Sequence, residues 1–126
     1  MTAETITFQI DIGKALQKIE NFSKNNIKVI QQAVMDSGFY VEKEVKESIA
    51  GRRGEPRSVD TGHFMQSVET IPMGFAEVMV HTQVEYARHL EEGTRYIQAR
   101  QHFANTYART KKDVRDLIAK RIAAII

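Results

Sequence analysis

Between Lys14 and Ala50 the chain carries no proline and a single glycine, Gly38. Along it Leu16, Ile19, Ser23, Ile27, Ile30, Val34, Ser37, Val41, Val45 and Ile49 recur at steps of three and four. Those steps put apolar and small side chains on one stripe of a helix, with Lys, Glu, Asn and Gln on the other face. An unbroken helix over this stretch is about 50–55 Å long at 1.5 Å per residue. That exceeds what a compact domain of 126 residues requires. Such a helix projects, packs against a neighbouring subunit, or bends at Gly38.

The remaining segments are shorter. Residues 4–11 alternate, with Ile6, Phe8 and Ile10 on one side and Thr5, Thr7 and Gln9 on the other, which reads as a half-buried strand. Gly51 can close the long helix and Pro56 prevents its continuation. The two glycines and three arginines of residues 51–58 suggest a mobile loop. Asp60 or Thr61 can cap a short helix through about Ser67. Val68 to Met73 and Phe75 to Thr82 read as a hairpin turning at Gly74. A short helix from about Glu85 to Glu92 ends at Gly93. A last helix runs from about Arg100 to Ile125 on a stripe of Phe103, Tyr107, Val114, Leu117, Ile118, Ile122 and Ile125. The expected fold is one α+β domain over residues 1–126, a small antiparallel sheet packed against the long N-terminal helix and a C-terminal helix.

Composition removes several function classes. No cysteine is present, so disulfides, thiolate metal sites and cysteine nucleophiles are excluded. No apolar run approaches the ~20 residues of a membrane span, and the N-terminal residues lack the pattern of a signal peptide. Net charge is only +2, too small by itself to argue for nucleic acid. The charge is unevenly placed, however. Residues 63–92 hold one Arg against five acids, while residues 93–126 hold eight basic residues against two acids. An acidic middle and a basic C-terminal end can attract each other across a subunit interface, or form two solvated faces.

Chemistry-bearing motifs are sparse. Glu85, His89 and Glu92 have helical metal-ligand spacing, but no His-Glu-x-x-His motif accompanies them, so exposed or capping histidines are expected at His63, His81, His89 and His102. No serine or threonine lies in a nucleophile motif, and Gly51-x-x-Gly54 lacks the Lys-Ser/Thr of a phosphate loop. No catalysis and no cofactor are expected. Arg52, Arg53 and Arg57 form either a solvated loop or, in a ring, a loop facing DNA phosphates.

Three segments carry a resemblance. They are Val59-Asp60-Thr61-Gly62-His63-Phe64-Met65-Gln66-Ser67-Val68, then Tyr86-Ala87-Arg88-His89-Leu90-Glu91-Glu92-Gly93-Thr94, then Ala99-Arg100-Gln101-His102-Phe103. In this order they resemble the neck or tail-completion proteins of long-tailed bacteriophages, the minor tail protein Z-like group. The family patterns are V-D-T-G with a following S-[IV], then Y-A-x-x-[VL]-E-x-G-T, then A-R-P-F before a C-terminal helix. The third segment departs, because the proline is missing and Phe103 is one residue too far from Arg100. The resemblance spans about residues 14–122.

The motif residues themselves have structural roles by their chemistry. Asp60 and Thr61 offer oxygens to a helix start, and Gly62 permits close packing. Ser67 belongs to the first pattern. Tyr86 and Leu90 share a helical face beside Ala87, Glu91, Glu92 or both can bond a nearby arginine or backbone amide, Gly93 supplies a left-handed residue, and Thr94 bonds locally. The resemblance implies a virion protein made in the bacterial host cytoplasm and placed at the head–tail junction. It implies a self-assembled ring, with a hexamer favoured and a dodecamer possible, touching neighbouring neck and tail proteins and passing genomic DNA. It implies no membrane. Two other readings stay open: a tail terminator ring subunit, and a small nucleic-acid-binding protein using Arg109 to Arg121.

Overall fold

The computed structural model describes residues 6–12, 24–58 and 62–125. The elements in chain order are β1 (Ile6–Asp11), α1 (Lys24–Ile49), α2 (His63–Ser67), β2 (Glu69–Gly74), β3 (Glu77–Thr82), α3 (Ala87–Glu92) and α4 (His102–Ala123). The fold is α+β: a three-stranded antiparallel sheet in the order β1-β3-β2, covered by helices. No helix among the described residues is long and apolar enough to cross a membrane.

α1 runs unbroken from Lys24 to Ile49, through Gly38. The first part of the expected helix, 14–23, and the start of the expected first strand lie outside the described residues. Ile30, Val34, Ser37, Val41, Val45 and Ile49 are all buried, as the stripe requires. Gly38 faces the sheet, and a Cβ there would stand 2.5 Å from Thr70 Cγ2 and 3.0 Å from Val78 Cγ2. Its glycine therefore sets how closely α1 lies on β2 and β3. The Thr70 hydroxyl donates to the Gly38 carbonyl at 3.0 Å and fixes that approach.

The C-terminus of α1 closes as a Schellman motif. Gly51, at φ 83°, donates its N–H to the Ser48 carbonyl, and Arg52 donates to the Glu47 carbonyl, both at 3.0 Å.

The hairpin turns later than the sequence suggests. Gly74 is the last residue of β2 and pairs with Glu77, so Phe75 and Ala76 make the turn. A bulge falls between Pro72 and Gly74 and absorbs the extra residue, Met73. β2 is an edge strand, which tolerates the missing N–H of Pro72. On β3, Val78 and Val80 are buried, and so are His81 and Thr82. Period two therefore fails at the end of β3.

α4 lies antiparallel to α1: Asp36 meets Arg121, Tyr40 meets Asp113 and Ser48 meets His102. Its buried face is His102, Phe103, Thr106, Thr110, Val114 and Ile118. Tyr107, expected on that face, is half exposed at 52%. Thr106 and Thr110 take the close positions instead. The Thr110 hydroxyl donates to the Thr106 carbonyl at 2.7 Å, and the Ser37 hydroxyl on α1 donates to the Ala33 carbonyl at 2.9 Å. Small hydroxylated residues that satisfy themselves within their own helix allow the two helices to pack without an orphaned donor.

Candidate functional site

The residues of the three resembling segments meet in space. Phe64 of α2 is 3% exposed. Tyr86 stacks edge-on to it at 5.9 Å, and His102 does so at 6.1 Å. Ser67, at the end of α2, donates to the Phe64 carbonyl and shares a 2.6 Å hydrogen bond with Thr82. Gly62 occupies the cap position before α2 at φ 80°, with no side-chain cap. Asp60 and Thr61 lie outside the described residues.

The second segment builds the start of α4. Ala87 is fully buried and Leu90 is half-buried. The Glu91 carboxylate accepts from the Phe103 and Ala104 backbone N–H groups at 2.8 and 2.9 Å. It is thus the N-terminal cap of α4, supplied from α3, and its charge complements the helix dipole. The Leu90 carbonyl accepts from Arg100 N at 2.7 Å, and the Glu91 carbonyl from Gln101 N at 3.3 Å. Gly93 has φ 80° and ψ 167°, a conformation open to glycine but outside the left-handed helical region expected. The Thr94 hydroxyl accepts from Tyr96 N and Ile97 N. In the third segment the added residue is absorbed at Gln101, which stands at φ 53°, ψ 42° immediately before α4. A proline could not adopt that φ.

A buried polar chain joins this region to the C-terminal end of α1. His102 is fully buried, contrary to an exposed or capping role. Its Nδ1 lies 2.7 Å from Ser48 Oγ and its Nε2 lies 2.7 Å from Ser58 Oγ. Ser48 also meets Glu55 Oε1 at 2.6 Å. Glu55 accepts from Arg109 through both oxygens, at 2.6 and 2.8 Å, and from Asn105. The Arg109 hydrogen bond first, with Ser48 and Asn105 adding to it, pulls the Glu55 pKa down to about 2 against the opposing effect of burial. Burial draws His102 down to about 4, with Glu55 opposing and Arg100 and Arg109 assisting.

The charge states order the protons. An ionised Glu55 only accepts, so the Ser48 hydroxyl donates to it and accepts from His102 Nδ1–H. Nε2 then accepts from the Ser58 hydroxyl, whose oxygen accepts from Arg100 at 2.8 Å. The carboxylate bonds the serine and not the histidine, and Ser48 is sealed from solvent. In a Ser–His–acid triad the acid orients the histidine, which activates the serine. Here the order differs, and the chain acts as a clamp between α1, the loop and α4.

Loop 51–58 is held at many points. Arg52 pairs with Glu47, Arg53 with Glu44 and Glu47, and Ser58 N donates to the Ile49 carbonyl at 2.7 Å. Arg100 donates to the Arg57 carbonyl, while the Arg57 side chain is exposed. Two of the three loop arginines are therefore engaged by α1. In the basic stretch, Arg109 and Arg121 are engaged by Glu55 and Asp36. Lys111, Lys112, Arg115 and Lys120 are exposed.

The remaining histidines divide. His63 and His89 are exposed, and His81 is buried with Nε2 3.1 Å from Glu69 Oε1. Its Nδ1 is buried without a partner among the described residues. Glu92 pairs with Arg88 rather than joining His89. Among the described residues no group of three or more His, Asp or Glu is placed to hold a metal.

Ser48, Ser58 and Glu55 carried no signal in the sequence. A lone acid among three arginines reads as loop charge until residue 109 is brought to it. Comparison with protein-family models, with curated proteins and with solved structures returned no match.

Proposed function

We propose that this chain is a non-enzymatic virion protein of the phage head–tail junction. It forms a ring, a hexamer by preference, that joins head to tail, contacts the neighbouring neck and tail rings and continues the channel for genomic DNA. The observation that supports this most is the convergence of the three resembling segments. Of the pattern residues, Tyr86 packs edge-on to Phe64 of the first segment, the Glu91 carboxylate accepts from the backbone N–H of Phe103 in the third, and Gly93 shapes the entry to α4. Segments that resemble a family's patterns and cooperate in one structural unit fit a shared fold better than scattered coincidences do. Mass spectrometry of purified particles tests the reading: the chain is expected in tailed virions, and its absence from them rules the reading out.

The DNA-facing role of the loop narrows to one residue under this reading. Arg52 and Arg53 are ion-paired, and Arg57 is exposed. In salt-dependent DNA binding by the assembled ring, Arg57→Ala should reproduce most of the loss caused by changing Arg52, Arg53 and Arg57 together. Equal contributions from all three would contradict it.

A second reading, nucleic-acid binding by the isolated chain, is favoured by one observation: Lys111, Lys112, Arg115 and Lys120 stand exposed along α4. Tight duplex binding by the monomer that weakens steeply with salt would support it.

A further inference from the structure

The loop after α3 is built to present side chains outward. Thr94 N donates to the Ile97 carbonyl at 2.7 Å, and the Thr94 hydroxyl accepts from Tyr96 N and Ile97 N at 3.1 and 3.0 Å. A Cβ on Gly93 would stand 2.7 Å from Ala99 N, so the two ends of the loop are pressed together. On this pinned turn Tyr96 is 87% exposed and Ile97 37%. Arg95 lies over the Tyr96 ring at 5.7 Å. A large aromatic held outward on a rigid loop loses little freedom when it is covered.

At the other end of α1 lies an open groove between that helix and the β2–β3 hairpin. Gln31, Met35, Pro72 and Phe75 line it, and Glu77 stands at its edge. Gln31 donates to the Phe75 carbonyl at 2.6 Å, which ties the hairpin tip to α1. Phe75 and Phe39, the latter one turn along α1 from Met35, are each 49% exposed. The groove is therefore apolar with an acidic edge, and the projecting loop is aromatic with a basic residue.

The two features cannot meet within one chain. Tyr96 and Ile97 line a cleft with Pro56, beyond the C-terminal end of α1, whereas the groove lies at Gln31 to Met35. The intervening helix is roughly 20–25 Å long at 1.5 Å per residue.

We propose that Tyr96 and Ile97 of one copy seat in the Met35–Phe75 groove of a second copy, with Arg95 against Glu77. Because donor and acceptor are different surfaces of the chain, the contact is heterologous and passes from copy to copy. It rests on the ring reading for its biological setting, and the contact itself stands on the geometry. One aromatic knob covers far less than the roughly 1,000 Å² of a stable interface. The free chain therefore associates weakly, and neighbouring rings complete the assembly.

The chain has no cysteine, which makes the contact directly testable. Chains carrying Lys28→Cys, exposed one turn before Gln31 on α1, and Gln98→Cys, exposed on the projecting loop, are mixed in equal amounts at high concentration and treated with a short bismaleimide, so that neither cysteine replaces a residue of the contact. The expected result is a mixed cross-linked dimer at least about fivefold above either chain alone, lost on adding Tyr96→Ala to the Gln98→Cys chain. Arg95→Glu should also abolish it, and Glu77→Arg on the other chain should restore it. Mixed dimer no more abundant than the like pairs, or unaffected by Tyr96→Ala, overturns the proposal. Tyr96 is almost fully exposed, so circular dichroism of the variant should match the parent. Cross-linking by a chain absent from virions would defeat the junction role alone. A virion protein that fails to cross-link would defeat the contact alone.

Discussion

His102 is neutral at neutral pH because burial, with help from Arg100 and Arg109, lowers its pKa from 6.5 to about 4. In the unfolded chain it takes up a proton near 6.5, so acid favours unfolding. The stability linked to it is complete above pH 6.5 and falls as pH drops from 6.5 towards 4, by about 3 kcal/mol at most. His102→Gln should flatten that limb of stability against pH in denaturant titrations, and an unchanged slope would mean that the acid limb does not come from protonation of His102. Glu55 behaves in the same direction lower down: its contribution is present above 4.5 and is lost as pH falls to about 2. Ser48→Ala removes the link between His102 and Glu55 and should cost about 1–3 kcal/mol by equilibrium unfolding, as a buried donor loses its acceptor. None of this clamp was legible in the sequence. Ser48, Glu55, Ser58 and His102 acquire their environment from contacts across long stretches of chain, and local spacing holds no record of those.

The elements were far more legible, because their signals are local. The stripe on α1 follows from steps of three and four, and Gly51 and Gly93 end helices by admitting positive φ. The misread places are where packing overrides pattern. Gly74 looks like a turn residue, yet it pairs in β2 while a bulge moves the turn to Phe75 and Ala76. Tyr107 looks like core, yet the close approach of α1 and α4 selects Thr106 and Thr110. Two substitutions examine this scale. Gly38→Ala places a methyl 2.5 Å from Thr70, whose rotamer is fixed by its bond to the Gly38 carbonyl. It should destabilise by about 1–3 kcal/mol despite the better helix propensity of alanine. Glu91→Ala should cost about 1–2 kcal/mol and increase amide exchange at Phe103 and Ala104 first, since those N–H groups lose their acceptor. A neutral Gly38→Ala would mean that the glycine does not set the distance of α1 from the sheet, and a neutral Glu91→Ala that the start of α4 does not depend on this cap.

At the scale of the molecule the uneven charge resolves into specific uses. Some of it is internal: Glu91 caps α4, Glu55 holds Arg109, and Asp36 holds Arg121. Among the features outside are a projecting Arg95–Tyr96 loop, an apolar groove edged by Glu77, the exposed Arg57, and the cations Lys111, Lys112, Arg115 and Lys120 on α4, interspersed with the exposed Asp113 and Asp116. The sequence could show that the two halves differ in charge. It could not show which charges are consumed within the fold, because that depends on the antiparallel pairing of α1 with α4. Electron microscopy of the neck of the intact particle tests the proposed ring at the head–tail junction. A closed ring is expected between head and tail whose subunit density fits α1, α4 and the three-stranded sheet, with six copies around the channel. A neck fully accounted for by other proteins, or particles that lack the chain, would contradict it.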